Sequence, residues 1–390
     1  MMRKWTAVLV LLALALSTDH ALLAQAEPAA QNAAAAERDA AGDQPNDSGP
    51  LAKGLSPALK RSAIRKAMKK VADWQLTYAE SHYNIQWTYA ALYDGLLAAS
   101  KTLQDSRYHD RVLKVAEDNH WELGPRFEHA DDQAIGLTYL ALYAEDSKPA
   151  RIDPTRERMD KLILRPDDPK KNLWWWCDAL YMAPPVLAQL SVATKDPRYL
   201  DFMDHQWWLT SGDLYDTTEH LYYRDDRFLT MREANGQKVF WSRGNGWVLA
   251  GLASVLDRMP QNYPSRAKYL EQYRQMAERI AGLQQADGLW RASLLDPASY
   301  PSPEISGSAF FTYAITWGIN QGILDRAKYQ PVVEKAWRAM LTHIYADGRL
   351  GAIQPIGGEP GKFKPSSSFV YGVGAFLLAG SELEKLSEKR

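Results

Sequence analysis

Residues 307–324, GSAFFTYAITWGINQGIL, are apolar on almost every side of a helix and rich in small side chains. A helix that is apolar all round is buried in a larger structure, and its small residues let neighbouring backbones approach closely. Segments of the same character recur along the chain, at residues 87–97, 135–143, 177–190, 245–256 and 367–380. Their recurrence predicts a fold that is built from a repeated buried helix.

Amphipathic, charged segments lie between the apolar ones and predict a second set of helices. Examples are residues 61–76, 269–285 and 331–345, each with one apolar stripe, as in helices that cover a core from outside. Six inner helices alternating with six outer ones predict an all-α fold, an (α/α)6 toroid; an irregular α-solenoid is the alternative. Strand signals are few, and residues 220–229 are a candidate hairpin beside the toroid.

The first residues have the order of a secretory signal peptide. Basic residues precede an apolar run at residues 7–16, and small residues follow, as before a signal-peptidase site. The run is short for a membrane span, so we predict a signal peptide over residues 1–26 rather than a signal anchor, and export to the periplasm or the medium. Residues 27–54 contain few large apolar side chains and are predicted to be a disordered leader. Residues 55–390 are predicted to form a single (α/α)6 domain.

Charge and cysteine content exclude several classes of function. The chain has 46 basic and 47 acidic residues, a net charge of −1, and no basic stripe. We therefore expect neither nucleic acid nor, after signal cleavage, a membrane as a partner. Cys177 is the single cysteine, which leaves no disulfide framework. The eight histidines form no HxxxH or HExxH pair, which does not support a metal site; that neither a metal nor an organic cofactor takes part is what the family resemblance below implies.

Polar residues stand at the start of several inner segments, where the loops of a toroid converge on one end of its funnel. Asp131 and Asp132 precede the second segment, Asp178 lies in the aromatic stretch WWWCDALYM, and Arg243 opens the fourth segment. Helix capping is the alternative explanation for each acid. An acid in an apolar aromatic pocket has a raised pKa and can donate a proton near neutral pH. Two carboxylates on different inner helices, beside aromatic rings and an arginine, suggest carbohydrate chemistry.

Four blocks of sequence carry a resemblance to a known family. They are DDQAIGLTYLALY, WWWCDALYMAPP, FWSRGNGWVLAGLASVL and ISGSAFFTYAITWGINQGIL. In their order and spacing the chain resembles the unsaturated rhamnogalacturonyl and glucuronyl hydrolases, glycoside hydrolase family 105, and more distantly family 88, over roughly residues 77–383. The resemblance implies an (α/α)6 barrel that removes a 4,5-unsaturated uronic acid from the non-reducing end of polysaccharide-lyase products. It also implies that the enzyme hydrates the vinyl ether instead of displacing the group at the anomeric carbon.

The resemblance also implies roles for particular residues. Asp178 matches the general acid/base, which protonates C4 and takes a proton from the water that adds at C5. Asp131 matches the second aspartate of the family, which holds sugar hydroxyls, although Asp132 is also compatible with that position. The remaining predicted contacts to the uronate and the sugar rings are Asp132, Trp87, Trp176, Arg224, Arg243, Asn245 and Trp247.

Arg224 marks a departure from the family pattern. Many members have a histidine after an LxY element, whereas this chain reads Leu221-Tyr-Tyr-Arg224. A second cation at this place suits the carboxylate of the substrate or a sulfate on the neighbouring sugar. The sequence therefore leaves the aglycone open among rhamnogalacturonan, ulvan and other uronate-containing glycans.

Three other functions are compatible with the same residues. An inverting glycosidase would pair Asp131 or Asp132 with Asp178 and would cleave saturated glycans. A sugar epimerase of the same barrel type would need histidines in the funnel. A non-catalytic carbohydrate-binding protein would use the aromatic rings alone. We expect a monomer in each case.

Overall fold

A computed structural model describes Ala36 and residues 40–388, and the predicted signal peptide lies outside the described residues. Helices dominate the described part of the chain. In chain order they are α1 (Arg61–Tyr78), α2 (Trp87–Leu103), α3 (Ser106–Asp118), α4 (Ala130–Gln133), α5 (Ile135–Glu145), α6 (Asp153–Leu162), α7 (Ala179–Met182), α8 (Pro184–Thr194), α9 (Pro197–Leu214), α10 (Ser242–Arg258), α11 (Arg266–Gly282), α12 (Ile305–Asn320), α13 (Arg326–Leu341) and α14 (Val370–Glu388).

The apolar segments form an inner ring of helices. Helix α2 packs on α5, α5 on α8, the α7–α8 pair on α10, α10 on α12 and α12 on α14. Helix α14 returns to pack on α2, so the ring closes. The charged segments form the outer helices α1, α3, α6, α9, α11 and α13. The predicted (α/α)6 toroid is therefore confirmed.

Burial follows the two sequence patterns. The inner helix α10 is buried continuously from Ser242 to Leu256. The outer helix α3 buries only Tyr108, Val112, Val115 and Ala116, one stripe at helical spacing. The two patterns differ because each inner helix has neighbours on all sides and each outer helix has them on one. Apolar burial is the main driving force for this arrangement.

Glycine closes the ring between its first and last inner helices. A Cβ atom added at Gly95 of α2 would lie 2.5 Å from the carbonyl oxygen of Gly374 in α14. Real Cβ atoms do not approach a backbone oxygen so closely, so the two helices contact through their backbones. The small residues that predicted close packing act at this contact.

In the part of the chain that the structure describes, four short strands lie beside the ring. Strands β2 (Tyr215–Asp216) and β3 (Leu221–Tyr222) pair antiparallel, with Tyr215 opposite Tyr222. The predicted hairpin thus exists, but it begins before residue 220 and ends at residue 222. Strand β1 (Gly42–Asp43) pairs antiparallel with β4 (Ser368–Phe369).

The N-terminal segment differs from its prediction as a disordered leader. Residues 40–52 run along the ring, and we call them the N-terminal strap. Besides the β1–β4 pairing, the hydroxyl of Tyr89 donates to the carbonyl of Ala40 over 2.8 Å, and Ala52 donates to the carbonyl of Ile344 over 2.8 Å. Residues 40–52 therefore belong to the folded body, because backbone hydrogen bonds hold a segment that has few large apolar side chains.

None of the helices in residues 40–388 is both long enough and apolar enough to cross a membrane.

Candidate active site

Asp131 and Asp178 lie at the same end of the toroid, at the starts of two neighbouring inner helices. Asp131 belongs to the short helix α4, and Asp178 directly precedes α7. Side-chain exposure is 19% for Asp131 and 12% for Asp178, so both carboxyls lie below the mouth of the funnel. The sequence prediction that two inner-helix acids meet in one place agrees with this arrangement.

A cation and a thiol contact Asp178. Arg224 Nε donates to Asp178 Oδ2 over 3.3 Å, and Cys177 Sγ donates to the same oxygen over 3.7 Å. Burial raises the pKa of the Cys177 thiol well above its ordinary value, so the thiol is a proton donor and not a thiolate nucleophile. Asp178 is therefore paired with a positive charge in the unliganded site.

Arg224 is held in place by a buried acid. Its Nη1 donates to Asp225 Oδ2 over 2.8 Å, and the same carboxylate accepts hydrogen bonds from Arg227. Burial opposes ionisation of Asp225, but the hydrogen bonds from Arg227 and Arg224 hold its pKa below the ordinary value. A fully buried Asp225 thus orients Arg224 and leaves its Nε for Asp178.

Asp131 is the member of the pair with a raised pKa. Burial and then the nearby charge of Asp178 raise its pKa to about 7, although part of the side chain is in contact with solvent. Asp131 can therefore hold a proton near neutral pH while it lies beside the Asp178 carboxyl. The sequence assigned the raised pKa to Asp178, whereas the structure puts a cation against Asp178 and the raised pKa on Asp131.

Asp132 faces away from the pair and is bound by Arg126. Arg126 Nε donates to Asp132 Oδ2 over 3.0 Å and Nη2 to Oδ1 over 2.7 Å. Burial would raise the pKa of Asp132, but these hydrogen bonds and that of the Arg126 backbone N–H lower it. The position beside Asp178 is therefore taken by Asp131, and the predicted sugar contact of Asp132 is replaced by an ion pair with Arg126.

His129 packs between the carboxyl pair and an aromatic wall. Its Nδ1 lies 3.6 Å from Asp131 Oδ2, and its ring centroid lies 4.7 Å from that of Trp176. Burial and then the charges of Arg126, Arg224 and Lys171 lower its pKa to about 4. The ring is thus neutral at pH 7, and because Nδ1 accepts from the Asp131 backbone N–H, its proton is on Nε2.

Arg243 lies behind the site and not in it. It is fully buried, and its guanidinium donates to the carbonyls of Gln354 and Pro355 over 2.7 and 2.8 Å. The rings of Trp241 and Tyr371 lie 4.4 and 4.8 Å from its central carbon. The predicted hold on a substrate carboxylate is therefore corrected: Arg243 fixes the loop that follows residue 353.

Asn245 and Trp247 were predicted to contact the sugar, but both lie one layer below the surface of the site. Asn245 is fully buried, and its amide accepts from the Tyr222 N–H over 2.8 Å and donates to the Tyr222 carbonyl over 3.0 Å. It thereby fixes strand β3, two residues before Arg224. Trp247 is fully buried and packs on Phe310, with ring centroids 4.3 Å apart.

The two other predicted aromatic contacts lie nearer the surface. Trp87 is partly exposed and stacks on Tyr371, with ring centroids 5.4 Å apart. Trp176 is 3% exposed and packs on His129 and on Trp175, whose centroid is 4.8 Å away. Trp87 therefore remains a candidate sugar contact, whereas Trp176 packs against His129 and supports it.

Arg126 and Asp225 were not singled out from the sequence. Arg126 lies six residues before Asp132 and Asp225 directly follows Arg224, so each is close in sequence to a predicted residue. The sequence does not show, however, that Asp225 is fully buried against Arg224 or that Arg126 forms an ion pair with Asp132. The residues of the described part of the chain form no cluster of three or more side chains suited to a metal ion.

Two carboxyls beside an arginine can serve acid–base chemistry, which is the chemistry that a glycosidase uses. The model of Glycosyl Hydrolase Family 88 matches residues 60–387, and the chain belongs to that family. The predicted glycosidase class and the predicted family 88-like relationship are confirmed.

The chain is similar to proteins of known activity or structure. An unsaturated 3S-rhamnoglycuronyl hydrolase from Formosa agariphila is 42% identical over 353 residues, which are 85% of this chain and 93% of that protein. A solved structure described as a polysaccharide lyase has a TM-score of 0.80 at 35% identity and covers 85% of this chain and 99% of its own. A family 88 glycosyl hydrolase structure from Bacteroides vulgatus has a TM-score of 0.79 at 33% identity, with coverages of 83% and 98%.

Proposed function

We propose that the protein hydrates the 4,5 double bond of an unsaturated uronic acid at the non-reducing end of an oligosaccharide and thereby releases that sugar. The observation that carries the proposal is the placement of the Asp131 and Asp178 carboxyls at the same end of the toroid, with Arg224 Nε 3.3 Å from Asp178. The name of the Formosa agariphila relative supports the same reaction class. Vinyl-ether hydration needs a group that gives a proton and then takes one, and a coupled pair near neutral pH supplies this.

In the proposed reaction Asp178 donates a proton to C4 and the oxygen of a water adds to C5. The second proton of that water passes to Asp178, so the carboxyl is regenerated. The product at C5 is a hemiketal, which opens to a ketone as its C5–O5 bond breaks and the hydroxyl proton passes to O5. The hemiacetal that this leaves at C1 collapses to an aldehyde as the bond from C1 to the aglycone oxygen breaks, and the O5 proton passes to the departing aglycone. Asp131 holds the sugar hydroxyls and shares its proton with Asp178.

Arg224 links substrate binding to the position of that proton. In the unliganded site its Nε contacts Asp178 and its Nη1 contacts Asp225. We propose that the uronate of the substrate takes the interaction that Asp178 has with Arg224. Asp178 then loses its cation, and the proton that was on Asp131 moves to Asp178, where it is needed.

The aglycone that we propose is a sulfated rhamnose. The similarity to a 3S-rhamnoglycuronyl hydrolase extends over most of both chains, and we read 3S as sulfate at O3 of rhamnose. Arginine at position 224, where many related enzymes have histidine, favours a polyanionic substrate.

A likeness of 35% identity to a structure described as a polysaccharide lyase supports a second candidate, elimination from a saturated uronate glycan. Two signals recorded together separate these reactions: the ultraviolet absorbance of the conjugated double bond and the release of reducing ends. Hydration removes absorbance in proportion to aglycone release. Elimination increases absorbance, and direct displacement releases the aglycone while the double bond persists. The proposal predicts the first result on lyase-generated oligosaccharides, and either other result would contradict it.

We also propose that the protein is exported, on the strength of the basic, apolar and small-residue order of residues 1–26. Expression of the full chain with N-terminal sequencing of the product tests this. A mature start near residue 27 is expected, and an uncleaved start at Met1 would contradict the proposal.

A further inference from the structure

We propose that the cavity beside His129, formed by Trp175, Trp176, Lys171 and Arg165, is the subsite for the aglycone sugar, and that Lys171 binds the sulfate of that sugar. The assignment rests on the proposed function, because it names where the second sugar of the same substrate lies. None of the residues that form the cavity is needed for the proton transfer itself.

The cavity adjoins the carboxyl pair and has room for a ligand. Its volume is about 330 Å³, at the small end of the range for ligand pockets. His129 and Arg126 line it and also approach Asp131, at 3.6 and 4.0 Å from Oδ2. Trp176 lines it two residues before Asp178. A substrate with its uronate at Arg224 therefore has this cavity as an adjacent space for its next sugar.

Aromatic rings give the cavity a surface for a sugar. Trp175 and Trp176 line it side by side, with ring centroids 4.8 Å apart and a tilt of 51°. Trp175 is partly exposed, and its indole presents the broad apolar face on which pyranose rings pack. The Arg224 central carbon lies 5.8 Å from the same ring, so Trp175 borders both the uronate-binding cation and the cavity.

Lys171 is the cation of the cavity that is available to a ligand. Its Nζ lies 4.2 Å from the centre of the Trp175 ring, and within residues 40–388 it forms no ion pair. Arg126 is engaged by Asp132, and Arg165 by Glu128 at 3.1 Å. Glu128 and Asp168 also line the cavity; Asp168 Oδ1 accepts from the Lys170 backbone N–H.

Three cations lie near the wall of the cavity that faces the reaction. The charges of Arg126, Arg224 and Lys171 act to lower the pKa of His129, and the charge of Asp132 acts to raise it. A sulfate keeps its negative charge at every pH at which the enzyme folds, so it suits a lysine on an aromatic face. The substrate carboxylate has its own partner in Arg224, which leaves Lys171 for a second anion.

The test compares two unsaturated disaccharides, one with a 3-sulfated rhamnose and one that has been desulfated. Initial rates are recorded from the loss of double-bond absorbance for the wild type, Lys171→Met and Lys170→Met. Methionine keeps the apolar stem on Trp175 and removes the charge. Lys170 is the matched control, because it is adjacent in sequence and does not line this cavity.

We expect wild type to prefer the sulfated disaccharide and Lys171→Met to raise KM for it about tenfold, while KM for the desulfated disaccharide stays the same. Lys170→Met is expected to behave as wild type. Equal losses on both disaccharides, or no change in Lys171→Met, would overturn the subsite assignment while the proposed function stood. A wild type that consumes neither disaccharide would overturn the proposed function and the subsite with it.

Discussion

Asp131 and Asp178 differ in their charged neighbours although they lie together. Asp178 has Arg224 at 3.3 Å, whereas the guanidinium nearest to Asp131, that of Arg126, is 4.0 Å away and is engaged by Asp132. The cation therefore lies on the Asp178 side of the pair, and Asp131, whose pKa is raised, is the member suited to hold a proton. The sequence shows the aromatic neighbours of Asp178 but not the arginine 46 positions later that contacts it.

The raised pKa of Asp131 predicts a dependence of stability on pH. A carboxyl whose folded pKa is raised stabilises the native state at low pH, and this contribution is lost as pH rises through about 7. Asn cannot ionise, so it does not lose stability in this way. The free energy of unfolding of Asp131→Asn, relative to that of wild type, should therefore increase by about 2–4 kcal/mol as the pH is raised from about 4 to about 8. Urea unfolding at both pH values measures this gain.

Asp132→Asn is the control for that experiment, because the pKa of Asp132 is lowered by Arg126. Its carboxylate stabilises the fold above the ordinary pKa, and this contribution is lost as pH falls. The loss of stability in Asp132→Asn should therefore be nearly the same at about pH 4 and about pH 8, because the Asp132 contribution is lost only at lower pH. A gain in Asp132→Asn as large as that in Asp131→Asn would contradict the assigned charges.

Arg224 is predicted to act mainly on substrate binding. Removal of its guanidinium in Arg224→Ala should raise KM for an unsaturated disaccharide about tenfold or more, with a smaller decrease in kcat. Arg227→Ala is the matched control, since Arg227 binds the same Asp225 but its side chain is 66% exposed. Steady-state kinetics that change equally in both variants would show that Arg224 acts only through Asp225.

At the scale of elements, backbone contact between inner helices determines where the ring has no room for a larger side chain. The approach of Gly95 to the Gly374 carbonyl leaves no space for a methyl group. Gly95→Ala should therefore destabilise the protein by about 1–3 kcal/mol. A Cβ atom added at Gly212, in the outer helix α9, would meet no atom within 4 Å. Gly212→Ala should therefore be neutral or stabilising. Unfolding in denaturant compares the stability of the two variants. Gly95→Ala should have the lower midpoint, and equal midpoints would contradict the backbone contact of Gly95.

The inner helices were predictable from the sequence because continuous burial leaves a continuous apolar pattern, as in residues 242–256. The candidate site was predictable in part. Asp131 and Asp178 lie at the same end of the toroid, as their places at the starts of inner segments predicted. The contact of Arg224 with Asp178 was not predicted, and Arg243 and Asn245 lie one layer below. A sequence block shows which residues are near a site, but it does not show whether a side chain points to the ligand or to a backbone carbonyl behind it.

At the scale of the whole molecule, the N-terminal strap joins the start of the chain to the last inner helix. Its contacts are mostly made by the backbone, as in the β1–β4 pairing and the bond from Ala52 to Ile344. Backbone hydrogen bonds leave no side-chain pattern, which is why composition alone predicted disorder for this stretch. The segment is instead part of the folded domain.

Removal of the strap is predicted to lower thermal stability. A chain that starts at Lys53 should have a Tm lower by about 5 °C or more than a chain that starts at Ala40, because several native hydrogen bonds are lost. Thermal unfolding monitored by tryptophan fluorescence compares the two chains. An unchanged Tm would show that the strap contributes no stability.

The central claim is that the carboxyl pair hydrates a double bond. The most direct measurement follows double-bond absorbance of an unsaturated uronyl disaccharide with wild type, Asp178→Asn and Lys170→Met side by side. The account predicts loss of absorbance with wild type and Lys170→Met, and a decrease in kcat of about 10³-fold or more with Asp178→Asn. Persistent absorbance with wild type, or full activity of Asp178→Asn, would contradict it.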